Sequence, residues 1–300
     1  MEVTGRIRVP GDKSITQRLL MFGALANGES VIQRPLRSHD TRSMIDALSS
    51  LGVAIEAGPN SITIVGRGRR ALVAPVHMVE CGNSGTAARF LIGAIAAHPM
   101  DATIAGDESL NRRPMRRVTR PLAAMGGRFT EHNGDGLPLT VRGGELDPLE
   151  DYALPQASAQ VKTALLLAGY AAGVPVSLVE PFRSRDHTER ILRELGLDVA
   201  VEGNTTAFTP SHPIEGFETR VPGDPSSAAF VVGHLLLTDS RTTTIESLGI
   251  NPTRMGFFRV LQRMGADIHW SETGAVLGEP VGELTVTGSR QLSAARVAPG

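Results

Sequence analysis

Four stretches of the chain share one pattern, a small polar residue followed by a nearly unbroken apolar run. They are SITQRLLMFGALANG from Ser14, SGTAARFLIGAIAAH from Ser84, SAQVKTALLLAGYAAG from Ser158 and SSAAFVVGHLLL from Ser226, with starts 70, 74 and 68 residues apart. Apolar positions all round a helix predict burial on every side. A second series keeps the same period: MIDALSSLG ending at Gly52, RPLAAMG at Gly126, ILRELG at Gly196 and RVLQRMG at Gly265, spaced by 74, 70 and 69 residues. These carry charge on one face and stop at glycine, as amphipathic surface helices with left-handed caps do. Two independent series with one period mark an internal repeat.

Short runs of β character follow each helix: ESVIQ and VAIEA, DATIA and GRFTE, PVSLVE and LDVAVE, TTTIES and ADIHW. Further extended runs, SITIVG and LPLTVRG, close the units. Each unit therefore reads as βαβαββ, and the class is α/β. The period exceeds that of thin solenoids, which predicts units packed around shared axes with the apolar helices inside.

Net charge is −1 and aromatic content 4%, so neither a global positive field nor a stacking surface points to nucleic acid. Any anion site must be built locally. The single cysteine, Cys81, excludes an internal disulfide, suits a reducing cytoplasm and reads as a buried small residue. MEVTGRIRVPGDKS has no apolar signal core and no apolar run is long enough to span a bilayer, so neither export nor a membrane is expected. The histidines are scattered without ligand spacing, and no structural metal is expected.

The candidate chemistry sits at the starts of the apolar helices: GDKS, GNSGT, ASAQ and GDPSS. A helix start offers unpaired N–H groups and the positive end of the dipole, and small residues let an anion come close. Cations gather at the same ends: Lys13 and Arg18, then Arg89 with Arg112 and Arg113 of NRRPMRR, then Lys162, beside the neutral amide Gln160, with the segment SRDHTER. Arginine forks suit carboxylate and phosphate. Arg116, Arg117 and Arg120 read as a solvated helix face, and Asp186 and Glu189 as helix N-terminal charge with local ion pairing. This is the pattern of a site for a small polyanionic ligand.

In order along the chain, GDKSITQR, GNSGTAARFL, RRPMRRV, SAQVKTALLLAG, SRDHTER, VPGDPSSAAF and NPTRMG resemble the motifs of the 5-enolpyruvylshikimate-3-phosphate synthase family. The resemblance spans essentially the whole sequence. It implies the enolpyruvyl transferase fold, an inside-out α/β barrel of βαβαββ units around buried helices, with four of the family's six units present. It also implies a complete three-unit domain over 11–224, and an incomplete second domain from 1–10 and 225–300. The implied activity moves the enolpyruvyl group of phosphoenolpyruvate to the 5-hydroxyl of shikimate 3-phosphate, on the route to chorismate and the aromatic amino acids, with no cofactor. By matching motifs, Lys13 touches both substrates and is the catalytic residue present. Shikimate 3-phosphate is held by Ser14, Arg18, Ser158, Ala159, Gln160, Ser184 and Arg185. Phosphoenolpyruvate is held by Asn83, Gly85, Arg113 and Gln160. The SAQ and SRDHTER spellings look like the glyphosate-tolerant bacterial subgroup, but Gly85 keeps the glycine of sensitive enzymes, so the inhibitor is expected to fit.

The family's later aspartate, lysine–glutamate–arginine and aspartate–histidine–arginine motifs have no counterpart before the sequence stops at SRQLSAARVAPG. The expectation is that this chain by itself has little or no transferase activity, and that AAFVVGHLLL lacks packing partners and exposes an apolar surface. Alternatives are a shikimate 3-phosphate-binding remnant, or one half of a split enzyme with a second chain carrying the missing units. The sister enzyme acting on UDP-N-acetylglucosamine is a third, disfavoured because GDESLNRRPM lacks that family's loop cysteine.

Overall fold

A computed structural model describes residues 5–238, 242–288 and 291–297. Parts of the SRQLSAARVAPG tail (289, 290 and 298–300) lie outside the described residues. The four repeats are present in chain order. The first runs β1 (Gly5–Ile7), α1 (Lys13–Leu25), β2 (Asn27–Gln33), α2 (His39–Ser50), β3 (Ala54–Ala57) and β4 (Ser61–Arg67). The second runs β5 (Val79–Glu80), α3 (Gly85–Ala96), β6 (Asp101–Ala105), the short α4 (Glu108–Asn111), α5 (Arg116–Ala124), β7 (Arg128–Glu131) and β8 (Leu139–Arg142). The third runs β9 (Leu149–Ala153), α6 (Ala159–Ala172), β10 (Val176–Val179), α7 (His187–Glu194), β11 (Asp198–Glu202) and β12 (Thr205–Thr209). The fourth runs β13 (Glu218–Arg220), α8 (Pro225–Thr238), β14 (Thr242–Gly249), α9 (Gly256–Arg263), β15 (Asp267–Val276) and β16 (Glu279–Thr287).

Each repeat contributes to a four-stranded sheet of one topology, in which the strands lie in the order first, second, fourth, third. The second and third repeats close their own sheets, β5-β6-β8-β7 and β9-β10-β12-β11. The first and last repeats exchange leading strands: β13 completes β13-β2-β4-β3, and β1 completes β1-β14-β16-β15. The chain accordingly forms two compact units. The larger comprises Ser14–Gln33 and Arg37–Thr219; the smaller comprises the described residues of Met1–Lys13, Arg34–Leu36 and Arg220–Gly300. Alternation does the local work: register between β2 and β4 sets Ile32 opposite Ile62, and Ile32, Ile62 and Ile64 are all fully buried.

In the larger unit the apolar helices are buried along their bodies, as their sequences predict. α3 buries every residue except Thr86, α1 buries Ile15 through Leu25, and α6 buries Val161 through Ala171. A Cβ on Gly93 would stand 2.2 Å from the carbonyl oxygen of Ala164, so glycine is what lets α3 lie this close to α6. The amphipathic series ends as expected: Gly52, Gly126, Gly196 and Gly265 follow α2, α5, α7 and α9 with φ of 86°, 95°, 86° and 93°. Cys81 is fully buried, and burial pushes its thiol up to about 12.

The fourth apolar helix departs from the pattern of burial on every side. α8 packs Ala228, Val232, Leu235 and Leu236 into the core of the smaller unit with Ile245 and Phe258, but leaves Phe230 84% and Leu237 69% exposed. Among the described residues, no helix is long and apolar enough to cross a membrane.

Candidate active site

Three first turns meet in the larger unit. Ser84 and Ser158 cap α3 and α6, each in an extended conformation with its hydroxyl accepting the N–H of the residue three further on, Ala87 and Val161. From α1, Gln17 Nε2 donates to Ser84 Oγ at 3.0 Å. Gln160 on α6 has its amide fixed from both sides: its Oε1 accepts from Arg89 Nη1 at 2.9 Å, and its Nε2 donates to Thr86 Oγ1 at 2.8 Å. Arg18 is 3% exposed. It donates to Thr188 Oγ1 (2.7 Å), Thr163 Oγ1 (3.0 Å) and the carbonyl oxygen of Ser14 (2.9 Å), and its guanidinium stands 5.2 Å from the centre of the Phe90 ring. Side chains from α1, α3, α6 and α7 thus lock one another around the helix starts.

The start of α3 is the most cationic point. Arg89 is buried, its Nε makes no hydrogen bond, and its Nη atoms donate to the oxygens of Gly85, Pro114 and Gln160. None of those acceptors is a carboxylate. Burial, and then the neighbouring Arg117 and Arg113, pull its pKa down to about 10. A Cβ on Gly85 would lie 2.6 Å from Arg89 Nη1 and 3.1 Å from Arg113 Nη1, so two guanidinium groups flank a backbone that a bound group can approach closely. Arg113 is oriented through Asn83, whose Oδ1 accepts from it at 2.5 Å while its Nδ2 donates to Asp107 at 2.7 Å. Asp107 is held below the usual carboxylate range by that bond first and by the Leu110 N–H second. Two forks, a helix N-terminus and no balancing carboxylate on Arg89 make a receptor for a carboxylate or phosphate.

The start of α6 is tied to the segment before α7. Glu180, just past the end of β10, accepts the Ser158 N–H on Oε1 (3.1 Å) and the Ser184 N–H on Oε2 (3.3 Å). Ser184 Oγ is buried with no hydrogen-bond partner, and Arg185 is exposed.

Of the residues singled out from sequence, Ser14, Arg18, Asn83, Gly85, Arg113, Ser158, Ala159, Gln160 and Ser184 fall within this linked network or its bonded neighbours; Ala159 enters through its carbonyl, which accepts from Thr163 Oγ1 at 2.7 Å. Lys13 belongs to the smaller unit, where it is exposed and its N–H donates to Asp224. Asp224 is held there, with Asp12, by the buried Arg254. Three readings change. Lys162 is not an anion-facing cation: it is buried between Glu180 and Glu189 at 2.7 and 2.6 Å. Glu189 is consequently paired across two elements rather than locally, whereas Asp186 does pair within its own helix, with Arg190. Arg112 is engaged by Glu108 on α4, whereas Arg116, though paired with Glu131, remains exposed as a solvated helix face. Glu180 is a neighbour of the site that the sequence did not announce, since it reads as a strand end, and Thr188 lies inside the SRDHTER segment with no role given to it there.

The family model for EPSP synthase (3-phosphoshikimate 1-carboxyvinyltransferase) matches residues 1–290. The chain is 45% identical over 283 residues to the 3-phosphoshikimate 1-carboxyvinyltransferase of Geobacillus kaustophilus, covering 94% of this chain and 66% of that protein. It is 45% identical over 294 residues to the enzyme of the same name from Gluconobacter oxydans, covering 96% and 66%. The solved structure of EPSP synthase from Acinetobacter baumannii superposes with a TM-score of 0.88 at 39% identity, covering 95% of this chain and 66% of that one. The chain therefore spans just under two thirds of the length of these relatives. Matched over nearly its whole length by the model and by these proteins, the chain belongs to the EPSP synthase family.

Proposed function

We propose that this chain serves the transfer of the enolpyruvyl group from phosphoenolpyruvate to the 5-hydroxyl of shikimate 3-phosphate, with release of phosphate. The observation that carries the reading is the pair Arg89 and Arg113 flanking Gly85 at the start of α3, with Gln160 of α6 hydrogen-bonded to one of them. Both substrates carry a phosphate and a carboxylate, and this arrangement suits such groups. In the proposed reaction the hydroxyl gives up its proton as its oxygen bonds to C2 of phosphoenolpyruvate, and C3 takes up a proton as the C2–C3 double bond becomes single. The tetrahedral adduct then loses that phosphate as C3 gives up a proton. Fixed positive charge near the departing phosphate stabilises it without reorganisation.

In this reading Asn83, Gly85, Arg113 and Gln160 receive phosphoenolpyruvate. Ser14, Arg18, Ser158, Ala159, Gln160, Ser184 and Arg185 receive shikimate 3-phosphate, and Lys13 serves both. No metal or organic cofactor is called for. We place the reaction in the cytoplasm, where such charged phosphate esters are retained. Calorimetric titration of the chain with shikimate 3-phosphate, with UDP-N-acetylglucosamine as the control, tests the reading. Saturable heat with the first only, lost in Ser158→Ala, supports it; binding of the second instead overturns it.

A further inference from the structure

Two neighbouring residues of α6, Lys162 and Thr163, face two neighbouring residues of α7, Thr188 and Glu189. The threonine hydroxyls share a hydrogen bond of 2.6 Å. Beside it, Lys162 Nζ reaches Glu180 and Glu189 at once, and the three side chains are 3% exposed or less. One carboxylate balances the formal charge of the lysine; the second is in excess, and Glu189 Oε2 is buried without a partner. On charge alone, a surplus carboxylate is a poor neighbour for a segment that receives a phosphate. Its presence calls for a geometric reason, and Glu180 supplies one.

Glu180 stands at a rigid place. Its own N–H donates to the carbonyl of Asn204 at 3.0 Å, and the preceding residue, Val179, closes β10 with its carbonyl accepting from Leu154. From there the carboxylate accepts the N–H of Ser158, the cap of α6, and the N–H of Ser184, four residues further along the chain. We propose that Glu180 is a positioning residue. It pins these two segments together so that Ser158, Gln160, Ser184 and Arg185 are presented as one receptor for the phosphate of shikimate 3-phosphate, while Lys162 fixes its carboxylate. This rests on the function proposed above, and it adds a residue that touches no substrate.

The test compares Glu180→Gln with Glu189→Gln in the full chain. Both remove one formal negative charge from the cluster, but only the first takes an acceptor from the two N–H groups. Shikimate 3-phosphate and shikimate, which lacks the phosphate, are titrated calorimetrically against each variant, with folding checked by circular dichroism. Glu180→Gln is expected to lower affinity for shikimate 3-phosphate by about tenfold or more, while shikimate affinity stays within about twofold. Glu189→Gln leaves Lys162 paired with Glu180 and is expected to leave the ratio of the two affinities within about twofold of the unsubstituted chain. Equal losses in both variants overturn the proposal, as does tighter binding by Glu180→Gln, the result that charge alone predicts. If Glu180→Gln does not fold, amide exchange in the unsubstituted chain decides. Slow exchange at Ser158 and Ser184 without ligand supports the pinning, and fast exchange at either overturns it. An unsubstituted chain that binds neither compound defeats the functional reading itself, a result separate from normal binding with an unchanged ratio in Glu180→Gln.

Discussion

Arg89 and Lys162 are buried cations near the starts of two neighbouring helices, and they are treated in opposite ways. Arg89 is given only neutral oxygens, and two more arginines stand close enough to depress its pKa. Lys162 is given two carboxylates. The desolvation cost is similar in kind for both, but only the first site leaves its positive charge uncancelled for an incoming anion. A count of cations near helix starts treats the two alike; their partners separate a ligand-facing charge from a structural one.

The comparison is broken most directly by removing each cation in turn. Lys162→Met strands Glu180 and Glu189 together in the interior, and the expected loss of stability is about 3–5 kcal/mol in urea unfolding followed by circular dichroism. Arg89→Met strands no carboxylate, and its stability is expected to change by roughly 1 kcal/mol. If the two losses are equal, the supposed difference in partners has no energetic meaning.

Ligand affinity should show the reverse order. Arg89→Met is expected to weaken phosphoenolpyruvate binding by roughly 10- to 100-fold, the scale of one or two charge-assisted hydrogen bonds, partly because Gln160 loses its donor. Affinity measured calorimetrically with shikimate 3-phosphate present would refute the assignment if it stayed at the level of the unsubstituted chain. A smaller effect is expected from Gly85→Ala. The added methyl must displace two guanidinium groups, one of them buried and bonded, and a loss of about tenfold in phosphoenolpyruvate affinity is the expected outcome. Unchanged affinity there would mean that both arginines shift freely, against the idea of a fixed receptor.

How much of this was legible depended on the length of the signal. The apolar runs of α3 and α6 and the glycine stops after α2, α5, α7 and α9 repeat over many residues, so burial and helix ends could be read directly. Three-residue strands such as GRI and ETR carry no period, and the exchange of β1 and β13 between sheets left no trace in the pattern. α8 spells burial all round and yet exposes Phe230; that apolar surface was expected from the family resemblance and not from the hydropathy of the run, which records what a helix tolerates rather than what covers it. At the site, serines before apolar runs announced the caps of α3 and α6. The pairing of Lys162 with Glu180 and Glu189 was hidden, since its members lie 18 and 27 positions away and become neighbours only when α6, β10 and α7 pack.

A third buried base shows another way to meet the same desolvation cost, and it gives the smallest effect. His98 has no exposed surface; Nδ1 lies 2.8 Å from the carbonyl oxygen of Ala94, and Nε2 has no partner. A proton on Nδ1 satisfies that bond and leaves Nε2 as a bare lone pair, so the ring fits as the neutral tautomer. Burial lowers its pKa from the usual 6.5, and the nearby Arg70 adds to this, against the raising influence of the Ala94 carbonyl. Below pH 6.5 the unfolded chain therefore takes up a proton at this position that the folded chain refuses. Stability should fall as pH drops from 6.5 towards the depressed native value. His98→Gln keeps a donor for Ala94 and removes the titration, so unfolding free energies measured from pH 7 to 5 should decline less steeply than in the unsubstituted chain. Parallel declines would show that titration of this ring does not set the slope.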